Sequence, residues 1–303
     1  MIYFLGPPPL VVLARSSTVN DNDYRHACAP SLVLVPQLKQ FALYYECANI
    51  PNALTTSICV AFGIGLQFSK FVRGGPFPPT DPNPNVNPSI IVPAATTDPM
   101  KYGSGHPSAV VPDNNGPVYL FYYADNDVPN APKGTYYQQT FDGVDFFGGA
   151  FTGVQLAPMQ VKFYSGPGLP GRGIFLGVTN VNGRAYFNWS IDGLTWDWND
   201  PTKLVEGGPH YIGLSGVTPD VCVAPGTPSF GANGYGQIPF ANGTVRIFQG
   251  EGKYGASSVG LLRPGTHQEC VDLDPNGPEN AHYMGYTWNL YGITGSFSFT
   301  PAP

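Results

Sequence analysis

Charged side chains are scarce in this chain: Asp, Glu, Lys and Arg make up 11% of its 303 residues, less than half the usual share of about 25%. No Lys or Arg run occurs and the net charge is −6, so the clustered positive charge needed by nucleic acid or an anionic membrane is missing. A neutral ligand is the expectation. Long apolar runs are also absent. The longest near the start is Leu10 to Ala14, after Pro7-Pro8-Pro9, far short of the roughly 20 residues of a membrane span. No basic segment with an apolar stretch and cleavage pattern marks a signal peptide, so the chain reads as a mature or trimmed form. The five cysteines show no C-x-x-C spacing and the five histidines no H-x-x-x-H pair, which argues against a zinc or other transition-metal site. There is no G-x-S-x-G elbow, and the Gly-rich stretch from Gly166 to Gly173 lacks the Lys of a phosphate loop.

What is abundant points to short strands. Gly (38) and Pro (33) punctuate a chain that is 42% hydrophobic and 14% aromatic, too apolar for disorder. Three frames recur, each from a Pro to an aromatic closing a turn: Pro30 to Phe68, Pro107 to Phe146 and Pro158 to Trp196. The second and third end in Thr140-Phe141-Asp142-Gly143-Val144-Asp145-Phe146 and Ser190-Ile191-Asp192-Gly193-Leu194-Thr195-Trp196. A frame of about 40 residues is one supersecondary unit repeated around an axis, as in a β-propeller.

Within each frame three β-branched and aromatic runs precede the turn, and a fourth strand is expected after it. In the first these are Pro30 to Val35, Phe41 to Cys47 and Ser57 to Phe62; in the second, Pro107 to Val111, Val118 to Tyr123 and Gly134 to Gln139; in the third, Met159 to Tyr164, Gly173 to Val178 and Ala185 to Trp189. Runs at Thr218 to Val223, Gly243 to Phe248 and Ser257 to Leu262 make a fourth unit. The whole chain, 1–303, then reads as one all-β domain, a propeller of five blades whose last blade is closed by N- and C-terminal strands. Counts of four or six fit the same frames. Residues 74–102, rich in Pro, form an inter-blade insertion that is either a functional cover or a solvated polyproline segment. Cys47 and Cys59 flank one strand-to-strand loop and are either bridged or two buried thiols. Low charge, Pro/Asn/Gly richness and the sequons at Asn188 and Asn242 favour an extracellular address.

His26-Ala27-Cys28-Ala29-Pro30-Ser31, Tyr44-Tyr45 and Ser57 to Ala61 resemble, in order, the strand motifs of five-bladed glycoside hydrolases of the arabinanase and β-xylosidase type. Gly105-His106-Pro107-Ser108 with Tyr119-Leu120, and Leu156-Ala157-Pro158, continue the resemblance over about residues 26–262. The turn at 190–196 is also similar to the sialidase Asp-box, one residue shorter. The resemblance implies catalytic carboxylates at three inner-strand positions, which fall here on Ser31, His106 and Leu156. None is an acid. The family's remaining Asp falls before residue 26, where Asp21 and Asp23 stand.

A rearranged pair is therefore the candidate catalytic set: Asp23, and Asp220 after Pro219 at the start of the fourth unit. Glu46 and Glu251, at the ends of middle strands, are weaker candidates. His26, Ser31, His106, Gln155 and Met159, around the inner-strand starts, are the candidate ligand-binding residues. No cofactor is expected, and a Ca²⁺ ion held in an axial channel by carbonyls and water would leave no sequence signature. The expected function is binding of a neutral oligo- or polysaccharide at the axial face, through aromatic faces and directed polar groups. The alternatives are an active glycoside hydrolase using Asp23 and Asp220, and a non-catalytic structural or adhesive surface module.

Overall fold

Every regular element is a strand among the described residues, as short β-branched and aromatic runs between Gly and Pro dictate. The computed structural model describes residues 2–4, 10–14, 16–49, 55–63, 71–73, 89–99, 101–126, 131–155, 158–165, 169, 172–181, 184–196, 230–239, 244–254 and 286–296. A small hairpin of β1 (Ile2–Phe4) and β2 (Leu10–Leu13) opens the chain. The first large sheet is antiparallel and runs β3 (His26–Val35), β4 (Gln40–Ala48), β5 (Ser57–Gly63), β6 (Phe71–Arg73), with β7 (Ser89–Val92) also paired to β5. The second is a four-stranded meander of β8 (Ser104–Val110), β9 (Val118–Ala124), β10 (Gly134–Thr140) and β11 (Phe146–Gln155). A third runs β12 (Met159–Tyr164), β13 (Ile174–Val181), β14 (Arg184–Ser190), and a fourth β15 (Phe230–Pro239), β16 (Thr244–Tyr254), β17 (Tyr286–Ser296).

The chain divides into two compact units, Met1–Gly177 with Asn188–Asn199, and Val178–Phe187 with Asp200–Pro303. In the second, β16 pairs along its whole length with β17, from Thr244 opposite Ser296 to Tyr254 opposite Tyr286. The runs expected at 218–223 and 257–262 lie outside the described residues.

In the first unit the inner strands β3, β8 and β12 lie side by side, and each sheet packs its face on the next, as propeller blades do. Val35, Tyr44, Ile58, Val60 and Phe62 of the first sheet share one core with Ala109, Val118, Leu120 and Tyr122 of the second. Val110, Phe121, Tyr137 and Val154 of the second share another with Met159, Val161 and Phe175 of the third. The seams repeat residue for residue. Tyr44 pairs with Ser31 and Phe121 with Ser108 in their sheets. Tyr44 meets Phe146 edge to face at 6.2 Å, and Phe121 meets Trp196 likewise at 5.7 Å.

The two Asp-Gly turns are built alike. Asp142 Oδ1 accepts the N–H groups of Val144 (3.0 Å) and Asp145 (2.8 Å); Asp192 Oδ1 accepts those of Leu194 and Thr195, both at 2.8 Å. Gly143 and Gly193 follow at φ +85° and +78°, a region that excludes most side chains. Burial alone would raise both carboxyls, but these backbone donors together with the hydroxyls of Thr140, Ser190 and Thr195 outweigh it and hold both below the usual Asp range. The corresponding turn of the first frame, 62–68, lies mostly outside the described residues.

One local feature differs from expectation. Ser89–Val92, inside the Pro-rich segment, is a strand on β5, because the β-branched run Ile90-Ile91-Val92 lies between Pro88 and Pro93 and finds an open sheet edge. Residues up to Tyr102 then tie the first two sheets together: Thr56 N–H donates to the Tyr102 carbonyl at 2.7 Å and Ser104 N–H to the Thr56 carbonyl at 3.0 Å. Cys47 and Cys59 form a disulfide between β4 and β5, with Cα atoms 5.8 Å apart.

Candidate functional site

The site grows from a distortion repeated in the inner strands. In β3 the register slips between Cys28 and Ser31, and in β8 between Gly105 and Ser108. The residue before each proline takes a left-handed backbone: Ala29 at φ 45° and His106 at φ 49°. Proline disfavours the right-handed helical region for the residue before it, and the bulge, which re-aims side chains at a strand end, goes with the left-handed backbone here. At these bulges the first two blades present Cys28 from one side and His106 from the other.

Between them lies Glu46, opposite Cys28 in β4 and 4% exposed. It shares a face of β4 with Tyr44, two residues away, and so looks toward the second blade. Its Oε1 accepts the Tyr102 hydroxyl and, at 2.7 Å, the His106 N–H; His106 Nδ1 is 3.8 Å away. Its Oε2 is 3.5 Å from Cys28 Sγ. Gly105 makes this approach possible. A Cβ there would lie 2.8 Å from Glu46 Cδ and collide with the Tyr102 hydroxyl.

Tyr102 lies at the middle of this cluster. Its ring stacks on His106 with centroids 5.6 Å apart and tilts against Tyr123 at 5.9 Å. Burial, reinforced by the Glu46 charge, pushes the phenol well above its ordinary range. Cys28 is exposed at the surface but crowded on its inner side; that desolvation, with Glu46 beside it, raises its thiol too. Both groups keep their protons and act toward Glu46 as donors. A buried carboxylate thus stands below a half-exposed imidazole, tyrosine rings and an exposed thiol.

The structure distributes the expected site residues differently. Asp23 is fully buried in an ion pair with Arg73 (Nε to Oδ2, 2.8 Å) and accepts from Tyr45 OH at 3.2 Å and Ser16 N–H at 3.3 Å. Tyr45 belongs to the core on the other face of β4, so Asp23 and Glu46 lie on opposite faces of one sheet. Ser31 is buried, and its Oγ accepts the Ala109 N–H at 2.8 Å. Ser108 does the same for Val161 N–H at 2.8 Å. Both serines join successive inner strands. Met159 is 1% exposed, packed beneath Gly177 and Trp196 in the second seam, with no surface for a ligand. Of the expected ligand-binding residues, His106 is the one whose side chain enters the cluster. His26 opens β3 opposite Ala48 and Gln155 ends β11 opposite Gly134, while their side chains, Asp220 and Leu156 lie outside the described residues.

The reading from sequence missed Cys28, Tyr102 and Gly105 and underweighted Glu46. One signal was present. Glu46 and Tyr123 both stand sixteen residues after a frame-opening proline, so an acid replaces an aromatic at one repeat position.

No protein-family model matches the chain, and no curated protein matches it. Among solved structures it is similar to an N-acetylgalactosamine deacetylase from F. plautii, in complex with blood group B trisaccharide. Identity is 11%, coverage 90% of this chain and 73% of that one, and the TM-score 0.50. What the two share is fold. Weaker likenesses are to an endo-arabinase from Bacteroides thetaiotaomicron (12% identity, 77% and 73% coverage, TM-score 0.42) and a xylan beta-1,4-xylosidase from Bacillus halodurans C-125 (15%, 80% and 40%, 0.41). The chain spans 37% of the length of the Hadza microbial sialidase Hz136, to which it is also similar, with 12% identity, 58% of this chain covered and a TM-score of 0.38.

Proposed function

We propose that this chain is a carbohydrate-binding propeller of glycoside-hydrolase-like fold, and that its glycan site is the cluster of Glu46, Tyr102, His106 and Cys28 at the inner-strand starts of the first two blades. The observation carrying this reading is the Glu46 carboxylate, buried under half-exposed rings and held by the Tyr102 hydroxyl and the His106 N–H. Aromatic faces suit the C–H surface of a sugar, and fixed polar groups beside them orient its hydroxyls. A propeller of five blades, closed by strands from both termini, brings further inner-strand starts to the same axis. The Cys47–Cys59 disulfide supports an extracellular setting, because such bridges persist in oxidising compartments.

Titration with oligosaccharides from plant and microbial polysaccharides, read by calorimetry and thermal shift, tests the proposal. At least one should bind, and His106→Ala and Tyr102→Ala should each weaken it about tenfold or more. If no saccharide in a broad panel binds, the reading is wrong.

A hydrolase reading has one observation in its favour: a buried acid, Glu46, beside donors that lead to the surface. Hydrolysis needs a second carboxyl about 5 to 10 Å away. Asp23, engaged by Arg73 on the opposite face of β4, does not suit that role. Loss of turnover in Glu46→Gln with folding intact would support the hydrolase reading; unchanged turnover removes it.

A further inference from the structure

The two oxygens of Glu46 are treated unequally. Oε1 takes the Tyr102 hydroxyl and the His106 N–H, while Oε2 has the Cys28 thiol, 3.5 Å away. A thiol is a weak donor. Cys28 is exposed, so Oε2 lies on the side of Glu46 next to a solvent-facing thiol. Charge is unequal as well. The Glu46 side chain is 6% exposed, and the basic group paired with it among the described residues is the His106 imidazole, on the Oε1 side at 3.8 Å. A buried carboxylate is stabilised by a cation or by several strong donors, and among the described residues Oε2 has neither.

We propose that Oε2 of Glu46 receives the ammonium group of an amino sugar, so that the glycan taken by this site carries a free, unacetylated amine. The assignment rests on the glycan-binding reading above and sharpens its ligand class. A neutral sugar hydroxyl gives Oε2 one hydrogen bond. An ammonium gives the hydrogen bond and neutralises the charge, in surroundings where both count for more than in water. N-acetylation removes that charge, leaves one uncharged amide N–H as donor, and adds a carbonyl, an acceptor with nothing to offer a carboxylate. The same charge logic disfavours acidic sugars, whose carboxylates would face Glu46 directly.

The test is calorimetric titration of the intact chain, at neutral pH or slightly below, with three oligosaccharides of one length: fully deacetylated chito-oligomer, fully N-acetylated chito-oligomer and β-1,4-linked glucose oligomer. The deacetylated form should bind at least about tenfold tighter than either other, and its advantage should shrink as salt is raised. In Glu46→Gln the advantage should fall to about one. Cys28→Ser offers a second readout at an exposed position: a hydroxyl is a better donor than a thiol, occupies Oε2, and should reduce the advantage without loss of folding. Should Glu46→Gln fail to fold, the serine variant decides. Equal or tighter binding of the acetylated or glucose oligomer overturns the amine assignment and leaves glycan binding standing. No binding of the deacetylated oligomer overturns it too, and glycan binding is then judged on the broad panel alone.

Discussion

The hydroxyl of Ser31 accepts the backbone N–H of Ala109 at 2.8 Å across the seam between the first two blades. Ser108 repeats the contact to Val161 across the next seam at the same distance. The position one residue after the frame-opening proline is therefore a joint between inner strands. Ser31 is 4% exposed, so removing its oxygen leaves a buried donor without an acceptor. Ser31→Ala should destabilise the fold by about 1–3 kcal/mol, measured from urea unfolding midpoints, with sugar binding within about twofold of wild type. Unchanged stability with binding lost would instead make Ser31 a ligand contact.

Asp23 and Arg73 give a second separation of structure from chemistry. Asp23 is 0% and Arg73 11% exposed at the side chain, and the pair joins the 16–23 segment to β6 across 50 residues. Breaking a buried pair from one side leaves an uncompensated charge. Arg73→Met should cost about 3–5 kcal/mol, whereas Asp23→Asn with Arg73→Met should recover much of that loss. A single Asp23→Asn variant that keeps full stability while abolishing turnover would return Asp23 to the catalytic candidates.

The repeat was legible because strands and turns are written locally. A pleated strand needs β-branched or aromatic residues at short range, and each Asp-Gly turn is closed by its own five residues, so both survive without knowledge of neighbours. The candidate site is written non-locally. Glu46 finds Tyr102 and His106 at separations of 56 and 60 residues, across a seam that no sequence period describes. Similar pairs of tyrosines stand at different register positions in the two blades. Tyr44-Tyr45 invites superposition on Tyr122-Tyr123, but strand register places Tyr44 with Phe121, and hence Glu46 with Tyr123. Strand β7 was hidden for another reason: composition over the whole segment, dominated by proline, masked a four-residue strand that pairs with β5.

The Asp-Gly turns predict an acid response. Asp142 and Asp192 have carboxyls held below the ordinary Asp range in the folded state, through backbone and hydroxyl donors that outweigh burial. Their stabilisation is therefore fully present above the unfolded value of about 3.9 and is lost as pH falls through the lower folded value. Thermal midpoints followed from about pH 5 down to pH 2 should drop less steeply in Asp142→Asn with Asp192→Asn than in wild type. Parallel curves would show that the turns do not hold their carboxylates ionised. Because both positions are substantially solvated, the effect should be modest.

His106 combines backbone strain with a candidate ligand contact, and two substitutions pull these apart. Its φ of 49° costs a side chain about 1–2 kcal/mol relative to glycine, while glycine gives back about 0.4–1 kcal/mol through the greater freedom of its unfolded chain. The N–H that donates to Glu46 Oε1 at 2.7 Å is backbone and survives both changes. His106→Gly should therefore lie within about 1 kcal/mol of wild type, allowing for the lost stacking on Tyr102. His106→Ala keeps the strained backbone, loses the same ring, and should be the less stable of the two. Both should lose sugar affinity to a similar extent, since each removes the half-exposed imidazole. Urea midpoints and calorimetric titration of the two variants side by side check this. If alanine proves the more stable, the left-handed backbone at the bulge is refuted, and with it the route by which the strand end turns toward Glu46.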